Sequence, residues 1–383
     1  MQYFERDVSI TSTKSYDKDE VISSIRRHFE LLKLHELIKP EMKVLLKPNL
    51  LMKRRPEETT TTHPVVVGGI IACLKEIGVT NITIADSPGG PYTKSALTGI
   101  YEASGMRAIA EEYNVQLNWD FDSFEQTVDN GVMVKSFTLI NPVKDADFII
   151  DIAKLKTHAM TTLSGGVKNL FGTVPGLMKP EFHWRFPEKD NFCNMLLDLC
   201  STVKPDVTFV DAIVSMEGNG PSGGTPKNTD MILASRSAYN MDIVLCKVIG
   251  IKVSDAPTVY NAIKRGLSVS GFSMLNIIGD NIKCFDDYKI PQVRSLGFYD
   301  VMPKFLIKPI RPIMDRFLSS KPVIQKKKCI GCAKCSESCP ADTISIIDKK
   351  AIIDYSKCIK CFCCHEMCPV KAIEIKRLKM FDF

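Results

Sequence analysis

Apolar positions recur along the first 295 residues in two alternating rhythms. Val21, Ile25, Phe29 and Leu32 stand at helical spacing behind the candidate caps Asp17 and Asp19, and Lys39-Pro40 stops the pattern. Lys43-Val44-Leu45-Leu46 then reads as a short buried strand. Pro64 opens a second helix with Val66, Ile70, Leu74 and Ile77 on one face and Gly78 at its end, and Asn81-Ile82-Thr83-Ile84-Ala85 reads as the next strand. Further strands are expected at 148–152, 207–210 and 231–234, and helices near 190–203 and 239–250. Strands that alternate with helices imply an α/β fold, a mostly parallel sheet covered by helices. The stretch 131–140 alternates less cleanly and suits an antiparallel addition.

Over 296–322 the rhythm gives way to Pro303, Pro309, Pro312 and Pro322, interleaved with Phe305, Leu306, Ile313 and Phe317. This is a proline-containing linker between an α/β domain (1–295) and a small domain (323–383). Lys304, Lys308, Arg311 and Arg316 would suit a helix lying on a membrane, but the prolines interrupt any long helix.

The composition, 45% hydrophobic and 25% charged over 383 residues, is that of an ordinary globular protein. No run approaches the roughly 18 apolar residues that cross a bilayer, and the first residues lack the parts of a signal peptide, so a cytoplasmic protein with no transmembrane segment is expected. Nine of the 14 cysteines fall between 329 and 368, a distribution that points to a metal site. The other five (Cys73, Cys193, Cys200, Cys246, Cys284) lie in apolar contexts and are expected to be buried packing. Residues 321–383 hold 13 Lys+Arg against 7 Asp+Glu, and the rest of the chain holds 37 of each, so the net charge of +6 sits entirely in this C-terminal tail. Without an aromatic-interleaved basic stripe or a recognised motif, no nucleic-acid partner is expected.

Residues 329–340 and 358–369 both fit C-x2-C-x2-C-x3-C-P. Two-residue spacing lets successive thiolates wrap one iron–sulfur cube, while the fourth cysteine of each run reaches the other cube. One 4Fe-4S cluster is therefore assigned to Cys329, Cys332, Cys335 and Cys368, and a second to Cys358, Cys361, Cys364 and Cys339. Cys363 is a ninth thiol whose use as a ligand would spoil the match between the runs, and His365 reads as a neighbour of the cluster. Residues 341–344 and 370–373 continue the repeat, and the whole resembles the bacterial two-cluster ferredoxin fold. Paired C-x2-C motifs also make zinc ribbons, but eight in-frame cysteines with two Cys-Pro endings favour clusters.

In the large domain, polar segments follow the expected strands: Lys47-Pro48-Asn49, Asp86-Ser87-Pro88-Gly89-Gly90, Lys154-Leu155-Lys156-Thr157-His158 and the stretch 216–221. In open α/β sheets ligands sit beyond the carboxyl ends of strands. Ser164-Gly165-Gly166-Val167-Lys168 would enter a helix with bare N–H groups beside a lysine, which suits a phosphate or carboxylate. The candidate anion-binding residues are thus Lys47, Asn49, Lys154, Ser164, Gly165, Gly166 and Lys168; the candidate catalytic residues are His158, Lys156 and Glu217. Asp86, Asp211 and His183 join His158 and Glu217 as possible ligands of a divalent metal, and a flavin mediator is also open.

These segments, with Thr62-His63-Pro64 and Glu217-Gly218-Asn219-Gly220-Pro221, resemble the domain-of-unknown-function 362 family, which often carries an appended ferredoxin. The resemblance covers about 1–290 and implies an architecture and a cytoplasmic, oxygen-poor context, but no reaction. The expected function is an iron–sulfur oxidoreductase acting on a small anionic substrate, with His158 shuttling a proton. The alternative is an electron carrier or adaptor whose large domain docks a redox partner protein.

Overall fold

The computed structural model describes residues 6–291 and 321–376. The large domain is built from β1 (Asp7–Ser12), β2 (Val44–Pro48), β3 (Ile82–Ile84), β4 (Gln116–Leu117), β5 (Ser123–Thr127), β6 (Ser136–Ile140), β7 (Phe148–His158), β8 (Thr162–Ser164), β9 (Val207–Glu217), β10 (Thr225–Ser235) and β11 (Asn276–Gly279). All but β5 and β6 form one sheet in the order β11-β1-β10-β9-β7-β2-β3-β4, with β8 pairing β7. β2 runs parallel to β3 and β7, β7 to β9, β3 to β4 and β1 to β11; β10 is antiparallel to both neighbours. The antiparallel addition expected at 131–140 is β6, which pairs β5 in a separate ribbon.

Helices cover both faces. Asp17 caps the helix Lys18–Leu31 by accepting from the N–H groups of Asp19 and Glu20, and the helix buries Val21, Ile25 and Phe29. The helix Pro64–Ile77 starts where a missing N–H costs nothing and ends at Gly78, whose φ of 96° is left-handed. These two share a core with Val44, Leu46, Ile150 and Ile152, whereas Leu45 and Ile149 face the helix Lys189–Val203. Each fully buried aliphatic side chain contributes about 1.5–3 kcal/mol, and burial on both faces is why the strands read as continuous apolar runs.

Several strands depart from expectation: β4, β5, β8 and β11 are additional, β9 and β10 are longer, and β7 and β1 show the physical reason. β7 continues six residues past Ile152, and all 11 of its residues are buried. Past Ile152 its backbone is paired with β9 as far as Lys156 and with β8 from Lys156 to His158, while Lys154, Lys156 and His158 find partners inside the protein. β1 was not foreseen; its buried Ser9 and Thr11 hydroxyls pair with His28 at 2.7 and 2.9 Å, a compensation that hydropathy does not show. Of the five scattered cysteines, Cys284 is exposed and the other four are buried.

The small domain comprises β12 (Lys321–Ile324), β13 (Ile344–Ile347), β14 (Lys350–Ile353) and β15 (Ile373–Lys376), paired β12 with β15 and β13 with β14. The expected linker lies outside the described residues as far as residue 320; Pro322 is already inside β12. The internal repeat is visible in the backbone. Ala333 and Phe362 share left-handed φ values of 62° and 63°, as do Asp342 and Lys371 at 48° and 52°. Among the described residues no helix is long and apolar enough to cross a membrane.

Candidate active site and cluster sites

Two cavities in the small domain collect the cysteines. One encloses about 320 Å³ and is lined by Cys329, Cys332, Cys335 and Cys368 with apolar Ile324, Ile346 and Ile373. The other encloses about 300 Å³ and is lined by Cys339, Cys358, Cys361 and Cys364 with Ile344, Ile353 and Phe362. Each set draws three thiols from one run and the fourth from the other. Backbone N–H groups of Ala372 and Thr343 point at Cys368 Sγ (3.1 Å) and Cys339 Sγ (3.4 Å), equivalent positions of the repeat. Such bonds stabilise negative charge on cluster sulfurs. Four thiols gathered round an apolar pocket, with N–H donors aimed at sulfur, suit a 4Fe-4S cube in each cavity. Cys363 lines neither cavity.

The small domain docks by its second cysteine run. Arg54 donates to the carbonyls of Cys368 (3.1 Å) and Pro369 (3.0 Å), Ser222 Oγ donates to the Glu366 carbonyl (3.0 Å), and His365 Nε2 faces the Asn219 carbonyl (3.2 Å). A Cβ on Gly89 would come within 2.7 Å of Met367 Sδ, so the chains meet closely there.

Between the two domains lies a partly open cleft. Its walls carry Lys47, Asn49, Lys156, His158, Ser164 and Lys168 of the residues expected from sequence, joined by Asp86 and His183. The carboxyl ends of β2 and β7 and the loop after β3 therefore do converge. Lys47 pairs with Asp86 at 2.6 Å, and Lys156 donates to Asn49 Oδ1 (2.9 Å) and to the Thr60 carbonyl (2.7 Å). Burial, with Lys168 nearby, lowers Lys156 to about 7. Lys168 itself lies over the Phe171 ring at 5.6 Å; among the described residues no carboxylate stands within ion-pair distance of it. His158 Nδ1 accepts from the N–H groups of Met160 (3.1 Å) and Thr161 (3.3 Å), which places its proton on Nε2. Nε2 stands 3.1 Å from Glu366 Oε1 but out of line for a hydrogen bond, so both atoms are buried without a partner. Burial holds His158 at about 4 and His183 at about 3, so both imidazoles are neutral near pH 7.

Four expected residues lie elsewhere. Lys154 is tied to Asp211 and to Tyr16 Oη, each at 2.8 Å. Glu217 accepts from the Lys289 N–H (3.0 Å) and pairs with the Lys289 ammonium (3.2 Å), away from the cleft. Gly165 and Gly166 correct the expected anion loop. The helix entry is already capped by an internal carboxylate, Asp242, which accepts from the N–H groups of Gly166 (2.8 Å) and Val167 (3.3 Å). A Cβ on Gly165 would stand 2.0 Å from Asp242 Oδ1, so Gly165→Ala should expel that cap and destabilise the protein by about 1–3 kcal/mol in urea unfolding. An unchanged midpoint would refute the capping role. Among the described residues no three His, Cys, Asp or Glu side chains gather to hold a single metal ion. Asp211 and Glu217 are engaged as above, and Asp86 is held by Lys47.

Sequence reasoning missed Lys179 and the contribution of the small domain. Lys179 lines the cleft, donates to the Ser87 carbonyl (2.7 Å), and is lowered by burial to about 7. Nothing in its local sequence marks it. Ser338, Cys363, Glu366 and Met367 close the cleft from the cluster side. They sit inside or beside the cysteine runs, where they read as spacers.

Comparison with known proteins matches two stretches of the chain. Residues 321–369 match a 4Fe-4S dicluster domain, which makes electron transfer through iron–sulfur clusters the role of the small domain. The chain is 28% identical over 319 residues to a thylakoid-associated protein of Synechocystis sp., covering 80% of this chain and 97% of that protein. Two solved structures are more distant. A Thermotoga maritima protein matches with 15% identity and a TM-score of 0.35, covering 52% of this chain and 51% of that one. The lactate racemase apoprotein of Thermoanaerobacterium thermosaccharolyticum matches with 15% identity and a TM-score of 0.39, covering 66% and 58%. This chain thus spans little more than half the length of either, and neither likeness carries function. Residues 44–247 match the domain of unknown function DUF362, and with β2, β3, β7 and β9 inside that span, the chain belongs to the DUF362 family.

Proposed function

We propose that the protein is an iron–sulfur oxidoreductase whose cleft holds a small anionic molecule and whose clusters exchange single electrons with it. One observation carries the reading: a cleft bearing Lys47, Lys156, Lys168 and Lys179 is closed by Cys363 and Glu366 from between the cluster-binding cysteines. The 4Fe-4S clusters, held by the two four-cysteine sets, supply one-electron steps at a potential set by their surroundings. The chain's own residues do the rest. Lys168, paired with no carboxylate among the described residues, holds the anion, while Lys179, tied to the Ser87 and Val174 carbonyls, and Lys47, fixed by Asp86, add positive charge to the same wall. His158, neutral and with its proton on Nε2, presents that N–H toward Glu366 at the cleft wall and is a weak acid in that state. Lys156, near 7, is the group that can give up or take a proton at neutral pH, so the proton-transfer role expected of His158 passes to Lys156. The exposed Cys332 thiol at the rim of one cluster favours a reducing, oxygen-poor compartment, in keeping with a cytoplasmic protein.

The test is calorimetric binding of phosphate and of a small dicarboxylate to anaerobically prepared, cluster-loaded protein between pH 6 and 8.5. Lys156 and Lys179 are lowered by burial, so both are charged below about 7 and lose charge above it. Affinity should therefore fall as pH rises through 7, by up to about tenfold per unit for each proton that binding takes up. No binding, or binding indifferent to pH over this range, would leave a carrier whose large domain only docks a partner.

A further inference from the structure

The two cluster sites do not stand equivalently to the cleft, and we infer that the outer rim of the Cys329/Cys332/Cys335/Cys368 site is the docking surface of an acidic one-electron carrier protein. The inference rests on the oxidoreductase reading of the cleft. On the cleft side, Ser338 adjoins Cys339, and Cys363 sits between Cys361 and Cys364 with its thiol against that of Cys361. Three ligands of the second cluster are thus within a residue or two of the cleft wall. The first cluster has one ligand so placed, Cys368, which follows Met367 on the cleft wall and whose carbonyl accepts from Arg54.

Its opposite side is open. Cys332 is exposed, and Ile330 and Val370, which line the cluster cavity, are 59% and 37% exposed. Lys326, Lys327 and Lys328 are exposed and run directly into Cys329; Lys349 is exposed where its carbonyl meets Gly331. Among the described residues none of these four makes an ion pair, whereas Lys334 is held by Glu337 at 2.9 Å. Asp348 is the acid of that turn. Four unpaired lysines outnumber the roughly two negative charges of an oxidised four-thiolate cluster. An apolar patch directly over a cluster, rimmed by cations, matches an acidic carrier in charge and brings its redox centre close. One electron is lost by the reduced carrier and one is gained at the outer cluster, with no bond or proton change at the contact; passage inward leads to the cleft.

The experiment is stopped-flow reduction of the anaerobic, cluster-loaded full chain by a reduced flavodoxin, an acidic flavin carrier, over a series of salt concentrations. Lys326→Glu/Lys327→Glu/Lys328→Glu and, separately, Ile330→Glu should lower the second-order rate constant at low salt at least tenfold and flatten its salt dependence. Iron content and reduction by dithionite should stay at the wild-type level, which excludes misfolding. Rates unchanged in both variants would overturn the assignment. So would lysine variants that lose binding to anionic phosphatidylserine vesicles while keeping the flavodoxin rate, since the patch would then serve a membrane. Phosphate binding at the cleft, read on the same samples, reports separately on the oxidoreductase reading.

Discussion

Cys368→Ala should remove the cluster shared with Cys329, Cys332 and Cys335, although Cys368 belongs to the second cysteine run. Iron content should fall to about half, and Cys364→Ala should remove the other half. The prediction rests on the cavities. Cys368 lines the void with the first run's three thiols, and Cys339 lines the void with the second run's three. Pairing variants separates this arrangement from one in which each run holds its own cluster. Cys332→Ala combined with Cys368→Ala should still retain about half the iron, because both losses strike one site, whereas Cys332→Ala combined with Cys364→Ala should lose nearly all of it. If Cys364→Ala and Cys368→Ala instead abolished the same signal in paramagnetic resonance, the crossed assignment would fail. Cys363→Ala should leave both clusters in place, since Cys363 lines neither cluster cavity.

The cysteine spacing made the small domain legible because cluster ligation demands a fixed residue type at a fixed interval, and spacing survives into three dimensions unchanged. Helix signals at Asp17, Pro64 and Gly78 were equally local, and each acts in the structure at the position where it was read. The cleft was legible only in part. Lys47, Lys156 and His158 could be found because polar residues directly after apolar strand runs have few structural uses. Lys154 fitted the same pattern, yet its partner Asp211 lies 57 positions away on β9, and no local signal tells a lysine with a carboxylate from one without. The glycine pair at 165–166 failed for a related reason. The bare N–H groups were real, but Asp242, 76 positions further on, supplies the anion. The stretch 216–221 was read as a strand end serving a ligand; its Asn219 carbonyl and the following Ser222 mostly hold the small domain in place. Glu366 was invisible because a residue inside a cysteine run is read against the cluster, and only domain docking turns it toward His158.

Lys168→Met should weaken anion binding about 10- to 100-fold without destabilising the protein. The charge-assisted hydrogen bond it removes is worth about 1.5–3 kcal/mol to a bound carboxylate or phosphate. In the free protein the ammonium lies over Phe171 with no carboxylate in ion-pair contact among the described residues, and burial pushes its pKa down despite the through-space attraction of Glu366, so its charge carries a net cost until a ligand arrives. Methionine keeps the apolar stem against Phe171 and removes that cost, so urea unfolding should show equal or slightly greater stability. Lys154→Met should do the reverse. It would strand the fully buried Asp211 carboxylate and cost about 3–5 kcal/mol, while any anion affinity that survives in the folded fraction stays near wild type. The two lysines, 14 residues apart in sequence and alike in their surroundings there, thus separate by the sign of two measurements. Loss of stability without loss of affinity in Lys168→Met would show that Lys168 is a packing residue and that the anion, if one binds, is held elsewhere in the cleft.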